Sequence, residues 1–456
     1  MTIGSLPDNV LLDIFEFYQE MTDWEDDPEW QMLVQVCRRW RYVVFASPRR
    51  LGLRFQCQAT TPVREILDVW PPMQIIVADH KPTRLGGENI IAALEHRDRV
   101  CELLLHNLTN SLLEQLATVV QDSEPFPVLL SIDLECDGQT PPVLPDTSGF
   151  WGGSAPRLQT LSLSGIPFPV PNLLLSARNL VKITLHNVPH TGYISPEAMV
   201  TCLSGLTNLK SLDLSFQSPS SRPDRGSQHP PPLTRVVLPA LMFLYFSGVS
   251  EYLEDFLARI NTPVIIRTEI MFFNRVIFDI PELFNFVSRT EALGPVKRAA
   301  LYLDPDIATL SFHHPDSHGR EDGSPDIGVR CDPFDWKISF LVQICSQLAP
   351  LLSSVKRLDI WCRKDIDWQD LDHMQWLEIF RPFIAVQNLH VHHRCEVIVP
   401  ALQELTGVRA MEVLPALRSL FVISVIDRDS VQQAIEPFIT ARRLSNQPVT
   451  IHWLRR

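Results

Sequence analysis

From residue 100 onward, apolar residues recur at offsets 0, 3 and 5, and this triplet resets at long intervals. It stands at Val100-Leu103-Leu105, Leu129-Ile132-Leu134, Leu158-Leu161-Leu163, Leu180-Ile183-Leu185, Leu209-Leu212-Leu214 and Leu241-Leu244-Phe246. It returns at Val296-Ala299-Leu301, Val355-Leu358-Ile360, Val386-Leu389-Val391 and Leu417-Leu420-Val422. Successive first positions lie 29, 29, 22, 29, 32, 55, 59, 31 and 31 residues apart, so two intervals look like doubled periods. A step of three followed by a step of two fits a turn that delivers the chain into a short strand with alternate residues on its buried face. Between the strands the spacing becomes helical. Ser111 with Glu114 makes a capping box ahead of Leu113, Leu116 and Val120. Ser195-Pro196 opens a segment that groups Met199, Cys202, Leu203 and Leu206. Further helices are predicted at Ser250 to Ile260, Pro281 to Leu293, Trp336 to Leu352 and Asp372 to Ile384. Ahead of the repeats, Val10, Leu11, Ile14, Phe15 and Tyr18 share one face of a helix, with Pro7 suited to its first position and Asp8 complementing its dipole. A second amphipathic segment groups Met32, Leu33, Val36, Cys37, Trp40 and Val44, while Arg38, Arg39 and Arg41 project elsewhere.

The repeat resembles that of leucine-rich-repeat proteins, whose units of 20 to 30 residues each supply one short strand and a returning helix or loop. That resemblance implies an α/β solenoid of parallel strands with returning helices. The family's asparagine sits at offset 8, whereas here Asn107, Cys136, Gly165, Asn187 and Gly248 stand at offset 7, so the likeness is to an irregular variant. An ordinary three-layer α/β domain would also alternate strands with helices. Segments rich in Pro, Gly, Ser and Asp, near 137–156, 217–235 and 304–335, are expected to be inserted loops. Such insertions either decorate a binding face or remain neutral surface.

The N-terminal order is Ser5-Leu6-Pro7-Asp8-Asn9-Val10-Leu11-Leu12-Asp13-Ile14-Phe15, then Val36-Cys37-Arg38-Arg39-Trp40-Arg41, then Pro48. It resembles an F-box, the helical module that docks a substrate receptor onto the Skp adaptor of a cullin-based ubiquitin ligase. The resemblance implies adaptor contacts from Leu6, Pro7, Val10, Leu11, Ile14, Phe15, Val36, Cys37 and Trp40, as far as the local fold does not consume them. Two departures stand out: an acidic insertion from Glu20 to Glu29, and Arg49-Arg50-Leu51 where the family carries a Leu-Trp pair. A helical subdomain packed on the rest of the chain is the other reading of these residues. The expected organisation is an F-box over 1–56, a linker and solenoid cap over 57–99, and the repeats over 100–456.

Composition narrows the function. The chain has 456 residues, 45% hydrophobic and 20% charged, enough for a large core. A formal charge of -13 argues against nucleic acid or an anionic membrane as the main partner. No basic-then-apolar leader precedes the first helix, and no apolar run reaches the roughly 20 residues of a membrane span. The 9 cysteines are scattered singly, as expected of reduced core thiols, so an intracellular protein, cytoplasmic or nuclear, is expected.

Catalytic and nucleotide-binding motifs are absent, and so is any ordered Ser-His-Asp set. His390 and His392 share a strand face near Cys395, and His313, His314 and His318 surround Asp316, but neither group completes a metal set. No metal and no cofactor are expected. The resemblances together imply a non-catalytic subunit of a ubiquitin ligase complex, binding a Skp-type adaptor, through it a cullin, and an unknown protein target. A scaffold that binds the adaptor without presenting a target, and a hydrolase with an unrecognised site, are the alternatives. Outward strand positions change along the chain, from Asp133, Glu135, Ser162, Ser164, Asp213 and Ser215 to Tyr245, Tyr302, Trp361, His390, His392 and Phe421. With Lys297, Arg298, Lys356, Arg357 and Arg418 alongside, the later face has the composition of an interface for an acidic or phosphorylated segment. The expected target contacts are Tyr245, Arg298, Tyr302, Arg357, Trp361, His392 and Phe421.

Overall fold

A computed structural model describes residues 6–20, 30–48, 50–51, 53–67, 72–79, 87–120, 125–136, 155–167, 177–217, 234–273, 280–290, 296–304, 307–313, 326–330, 334–362, 373–393, 398–405, 412–423 and 428–454. The chain divides into two compact units, Met1–Tyr193 and Ile194–Arg456.

The first unit opens with α1 (Asp8–Glu20), α2 (Trp30–Val36) and α3 (Arg38–Ala46). Their shared core is Leu11, Leu12, Phe15, Trp30, Leu33, Val43 and Val44, with the Phe15 and Trp40 rings 4.7 Å apart. Six strands follow: β1 (Arg54–Cys57), β2 (Gln74–Asp79), β3 (Val100–Leu108), β4 (Ser131–Cys136), β5 (Thr160–Ser164) and β6 (Lys182–Val188). All their pairings are parallel and run in chain order. The sheet therefore begins at Arg54, inside the span expected for the F-box, and β2 lies in the stretch expected to hold a linker and cap. The Trp30 indole donates to the Arg54 carbonyl at 2.9 Å and ties α2 to the first strand.

The second unit contains β7 (Ser211–Phe216), β8 (Val236–Val237), β9 (Phe243–Gly248), β10 (Ile260–Asn261), β11 (Arg267–Phe272), β12 (Arg298–Leu303), β13 (Ile307–His313), β14 (Asp326–Arg330), β15 (Arg357–Cys362), β16 (Asn388–His393), β17 (Ser419–Ile423) and β18 (Thr450–Leu454). The short β8 and β10 pair with each other, and the rest lie in the order β7-β9-β11-β14-β13-β12-β15-β16-β17-β18. Each repeat buries its triplet: Leu358, Ile360, Leu389, Val391, Leu420 and Val422 are all 1% exposed or less. Parallel strands alternating with helices are the arrangement the repeat pattern predicts.

One expectation is filled in and two need correction. The 55-residue interval does hide a repeat, Ile265-Thr268-Ile270 on β11, in which a buried threonine replaces the second apolar residue and breaks the pattern. The span 304–335 is not simply a loop. It carries β13 and β14, with β13 antiparallel to both of its neighbours. The alternation Ala308, Leu310, Phe312, all fully buried, drives β13 into the sheet, whereas the Pro, Gly and His content around residues 314–325 dominated the reading. The capping box at Ser111 is also displaced. Thr109 accepts the Leu112 amide at 3.3 Å, and the helix begins at Asn110. Ser195 does cap its helix, accepting the Ala198 amide at 3.2 Å. The loops expected at 137–156 and 217–235 lie almost wholly outside the described residues.

Offset 7 acquires a physical meaning. Asn107, Gly165 and Asn187 have φ of 53°, 69° and 50°, the left-handed conformation that glycine and asparagine tolerate best. This position ends the strand and turns the chain towards its return segment.

Candidate functional site

The N-terminal candidate is the outer surface of α1 to α3. Arg39 holds the module closed: its Nε and Nη2 donate to Asp8 Oδ1 at 3.2 and 2.7 Å, and Nη2 also donates to the Leu6 carbonyl. Arg50 pairs with Asp13 and reaches Glu16 at 3.7 Å. Cys37 is the N-cap of α3, its sulfur accepting the Trp40 amide at 3.4 Å. Helix α1 starts at Asp8, one residue later than Pro7, whose carbonyl accepts the amides of Val10 and Leu11 at 3.1 Å.

The residues expected to face an adaptor divide cleanly. Leu11 and Phe15 are fully buried in the local core. Leu6, Val10 and Trp40 are half-buried, and Pro7, Ile14, Val36 and Cys37 are exposed. Besides Ile14 and Val36, the large exposed apolar side chains here are Phe17, Tyr18, Met32 and Tyr42. Ile14, Phe17 and Tyr18 form one helical stripe, and Met32 and Val36 form another.

The second candidate is the outward face of β12, β15, β16, β17 and β18. Register sets three rows across these parallel strands. One holds Arg298, Arg357, Asn388, Ser419 and Thr450; the next holds Ala300, Asp359, His390, Phe421 and His452; the third holds Tyr302, Trp361, His392, Ile423 and Leu454. Neighbours within a row are about 4.8 Å apart, and successive rows about 6.7 Å apart along each strand.

These spacings let the rings stack. Trp361 and His392 lie 3.6 Å apart at 10°, and Tyr302 and Trp361 lie 6.1 Å apart at 14°. In the middle row, His390 and Phe421 are 4.2 Å apart and Phe421 and His452 are 4.6 Å apart. Beneath them sits Asp359, fully buried. Arg298 Nε donates to its Oδ2 at 2.9 Å, Arg357 donates through Nε at 3.0 Å and Nη2 at 2.8 Å, and His392 Nε2 lies 3.4 Å from Oδ1. Burial by itself would raise the Asp359 pKa, but the hydrogen bonds from His392 and Arg357 and the charges of Arg298 and Arg357 hold it well below the usual carboxylate range. Burial, reinforced by the Arg357 charge, pushes the His390 imidazole down to about 4, so it is neutral at pH 7.

Of the seven expected target contacts, the fold brings six together: Arg298, Tyr302, Arg357, Trp361, His392 and Phe421. Tyr245 stands apart. It lies on β9 between Asp213 and Glu269, four strand positions from Tyr302, or roughly 19 Å. Sequence reading missed Asp359 and His452. The alternation Arg357-x-Asp359-x-Trp361 was a usable signal for Asp359, while His452 follows the last recognised triplet. Cys395 and the histidines at 314 and 318 lie outside the described residues. Among the described residues no group of His, Cys, Asp and Glu could hold a metal ion, and no helix is long and apolar enough to cross a membrane.

No family model and no curated protein matches this chain. Among solved structures, the leucine-rich-repeat-containing protein LegL7 of Legionella pneumophila aligns at 15% identity and a TM-score of 0.29, over 76% of this chain and 97% of LegL7. The yeast complex of Rad7 and Elc1 aligns at 11% identity and a TM-score of 0.26, over 93% of this chain and 94% of the other. Likenesses at these scores carry no argument, and the architecture rests on the strand registers given above.

Proposed function

We propose that this chain is the substrate-recognition subunit of a Skp-cullin-F-box ubiquitin ligase, with α1 to α3 docking a Skp-type adaptor and the outward sheet face of the second unit holding the target. The observation that carries the reading is the apolar surface of α1 and α2. Phe17, Met32 and Val36 are 62%, 63% and 59% exposed on a module whose core is already filled by Leu11, Phe15 and Trp30. Exposed apolar stripes of this size mark partner surfaces. Val36 and the likewise exposed Ile14 are among the adaptor contacts that the resemblance to an F-box implies, and Met32 and Phe17 adjoin them on the same helical stripes. The chain itself is then non-catalytic, and it accelerates ubiquitin transfer by raising the effective concentration of the target.

An Ile14→Asp, Val36→Asp variant tests the docking face. Each apolar anchor contributes about 1.5–3 kcal/mol when buried, so losing both should weaken adaptor binding by more than about a hundredfold while the thermal midpoint is retained. Co-purification with a Skp adaptor at the wild-type level would reject the assignment. Proteomics with and without proteasome inhibition separates a degradative receptor, whose partners accumulate on inhibition, from a scaffold, whose partners do not.

A further inference from the structure

Strands β12, β15, β16, β17 and β18 contain one carboxylate among them, Asp359, although the whole chain carries a formal charge of -13. That carboxylate is fully buried and bonded to two guanidiniums, so the surface it leaves is cationic. Exposed Lys297, Lys356 and Arg418, which precede β12, β15 and β17, add to the same edge. Earlier strands differ: Glu102, Asp133, Glu135, Asp213 and Glu269 put acid on the corresponding faces.

Asp359 does more than neutralise charge. Arg298 and Arg357 occupy matching register positions on adjacent strands, and both donate Nε to the same oxygen, Asp359 Oδ2. Their side chains are 40% and 38% exposed. Arg298 uses only Nε, which leaves both of its terminal nitrogens without a partner among the described residues. The pair is thus a preorganised fork, and preorganisation removes the ordering cost that weakens most surface guanidinium contacts. Two guanidiniums against one carboxylate leave one net positive charge, and the neutral His390 adds none. Both guanidiniums reach the Asp359 row, and Tyr302 and Trp361 stand one row beyond it, two residues further along each strand. An extended peptide presents residues i and i+2 on one side at about the same 6.7 Å spacing.

We propose that this face binds a phosphorylated peptide segment, with a phosphoserine or phosphothreonine on Arg298 and Arg357 and an apolar side chain two residues away on Tyr302 and Trp361. Asp359 is the positioning residue that fixes the two guanidiniums. A phosphate suits the fork better than a carboxylate, because it offers three oxygens and a second charge. The proposal rests on the reading of this chain as a target receptor, and it adds the chemistry of the target.

Fluorescence polarisation on the full chain tests it, with labelled nonapeptides carrying serine, phosphoserine or glutamate at the centre and alanine or leucine two positions away. Phosphoserine peptides should bind at least tenfold more tightly than the serine or glutamate forms, and more tightly still with leucine. An R298Q/R357Q/D359N variant, which leaves no buried carboxylate unpaired, should bring the phosphorylated and unphosphorylated affinities within threefold of each other. Trp361→Ala should abolish the preference for leucine and keep that for phosphate. On the wild-type chain, competition by free phosphoserine should displace the peptide, a result that depends on no variant folding. Equal binding of serine and phosphoserine peptides overturns the proposal, and so does tight inositol hexakisphosphate binding without peptide selectivity. The triple variant should co-purify with a Skp adaptor as wild type does. If the wild-type chain selects phosphopeptides but binds no adaptor, the ligase reading fails alone.

Discussion

Asp359 and His390 share the row two residues beyond that of Arg298 and Arg357 and are driven in opposite ways. The carboxylate is stabilised as an anion by its donors, while the imidazole is held neutral by burial and by Arg357, with only Asp359 pulling the other way and His392 and Arg298 adding to the depression. Because the folded His390 pKa, about 4, lies below the ordinary 6.5, the folded chain binds fewer protons than the unfolded chain between those values. Stability from this group is therefore complete above the upper value and is lost as pH falls towards the lower. The urea midpoint of wild type minus that of His390→Gln should shrink across this window and stay constant above it. A flat difference would place His390 in water. Burial also accounts for the thiols: Cys57 is pushed up to about 12 and Cys101 to about 11, so neither is a nucleophile at neutral pH.

At the scale of the element, the repeat is a strand followed by a turn that only certain residues tolerate. Asn187 has φ of 50° at the end of β6, where a Cβ-bearing residue other than asparagine or aspartate pays about 1 kcal/mol or more. Asn187→Ala should lower stability by about that amount, and Asn187→Gly should be close to neutral, as read from denaturant midpoints. Gly248 occupies the same offset for a different reason: a Cβ there would lie 2.8 Å from Phe246 Cζ and 3.0 Å from Phe216 Cδ2. Identical spacing in sequence thus answers to conformation in one repeat and to packing in another. Helix starts show the same local variety. Glu254, on the preceding helix, accepts the amides of Glu282 and Leu283 at 2.8 Å and caps the helix Pro281–Arg289 from a distance in sequence.

Across the whole molecule, cysteine exposure gives a probe of each unit. Cys37 is exposed, whereas Cys57 and Cys101 in the first unit and Cys345 in the second are buried and free. Pulse labelling with an alkylating reagent should modify Cys37 in native protein within the first time point. Cys57 and Cys101 should lose protection together, at the denaturant concentration where the first unit's circular dichroism is lost. Labelling of Cys57 well below that concentration would mean that the start of the parallel sheet opens by itself.

The sequence by itself determined what depends on local periodicity. The triplet at offsets 0, 3 and 5 located most strands because burial repeats with the pleat, and the N-terminal helices followed from apolar residues on one face. It also placed Trp361 and His392 on outward positions, with Arg298 and Arg357 alongside, since period 2 fixes the face once the register is known. Only the tertiary structure decided which outward positions meet. Tyr245 and Tyr302 both stand at outward offsets, 4 and 6, yet two strands from a stretch that reads as loop, together with a repeat masked by Thr268, separate them. Leu11 and Ile14 read alike on a helical face, and packing against Phe15's neighbours buries one and exposes the other. Asp359 drew no notice in the sequence; its burial beneath two guanidiniums depends on strands paired across 61 residues of chain, a distance over which no local pattern carries information.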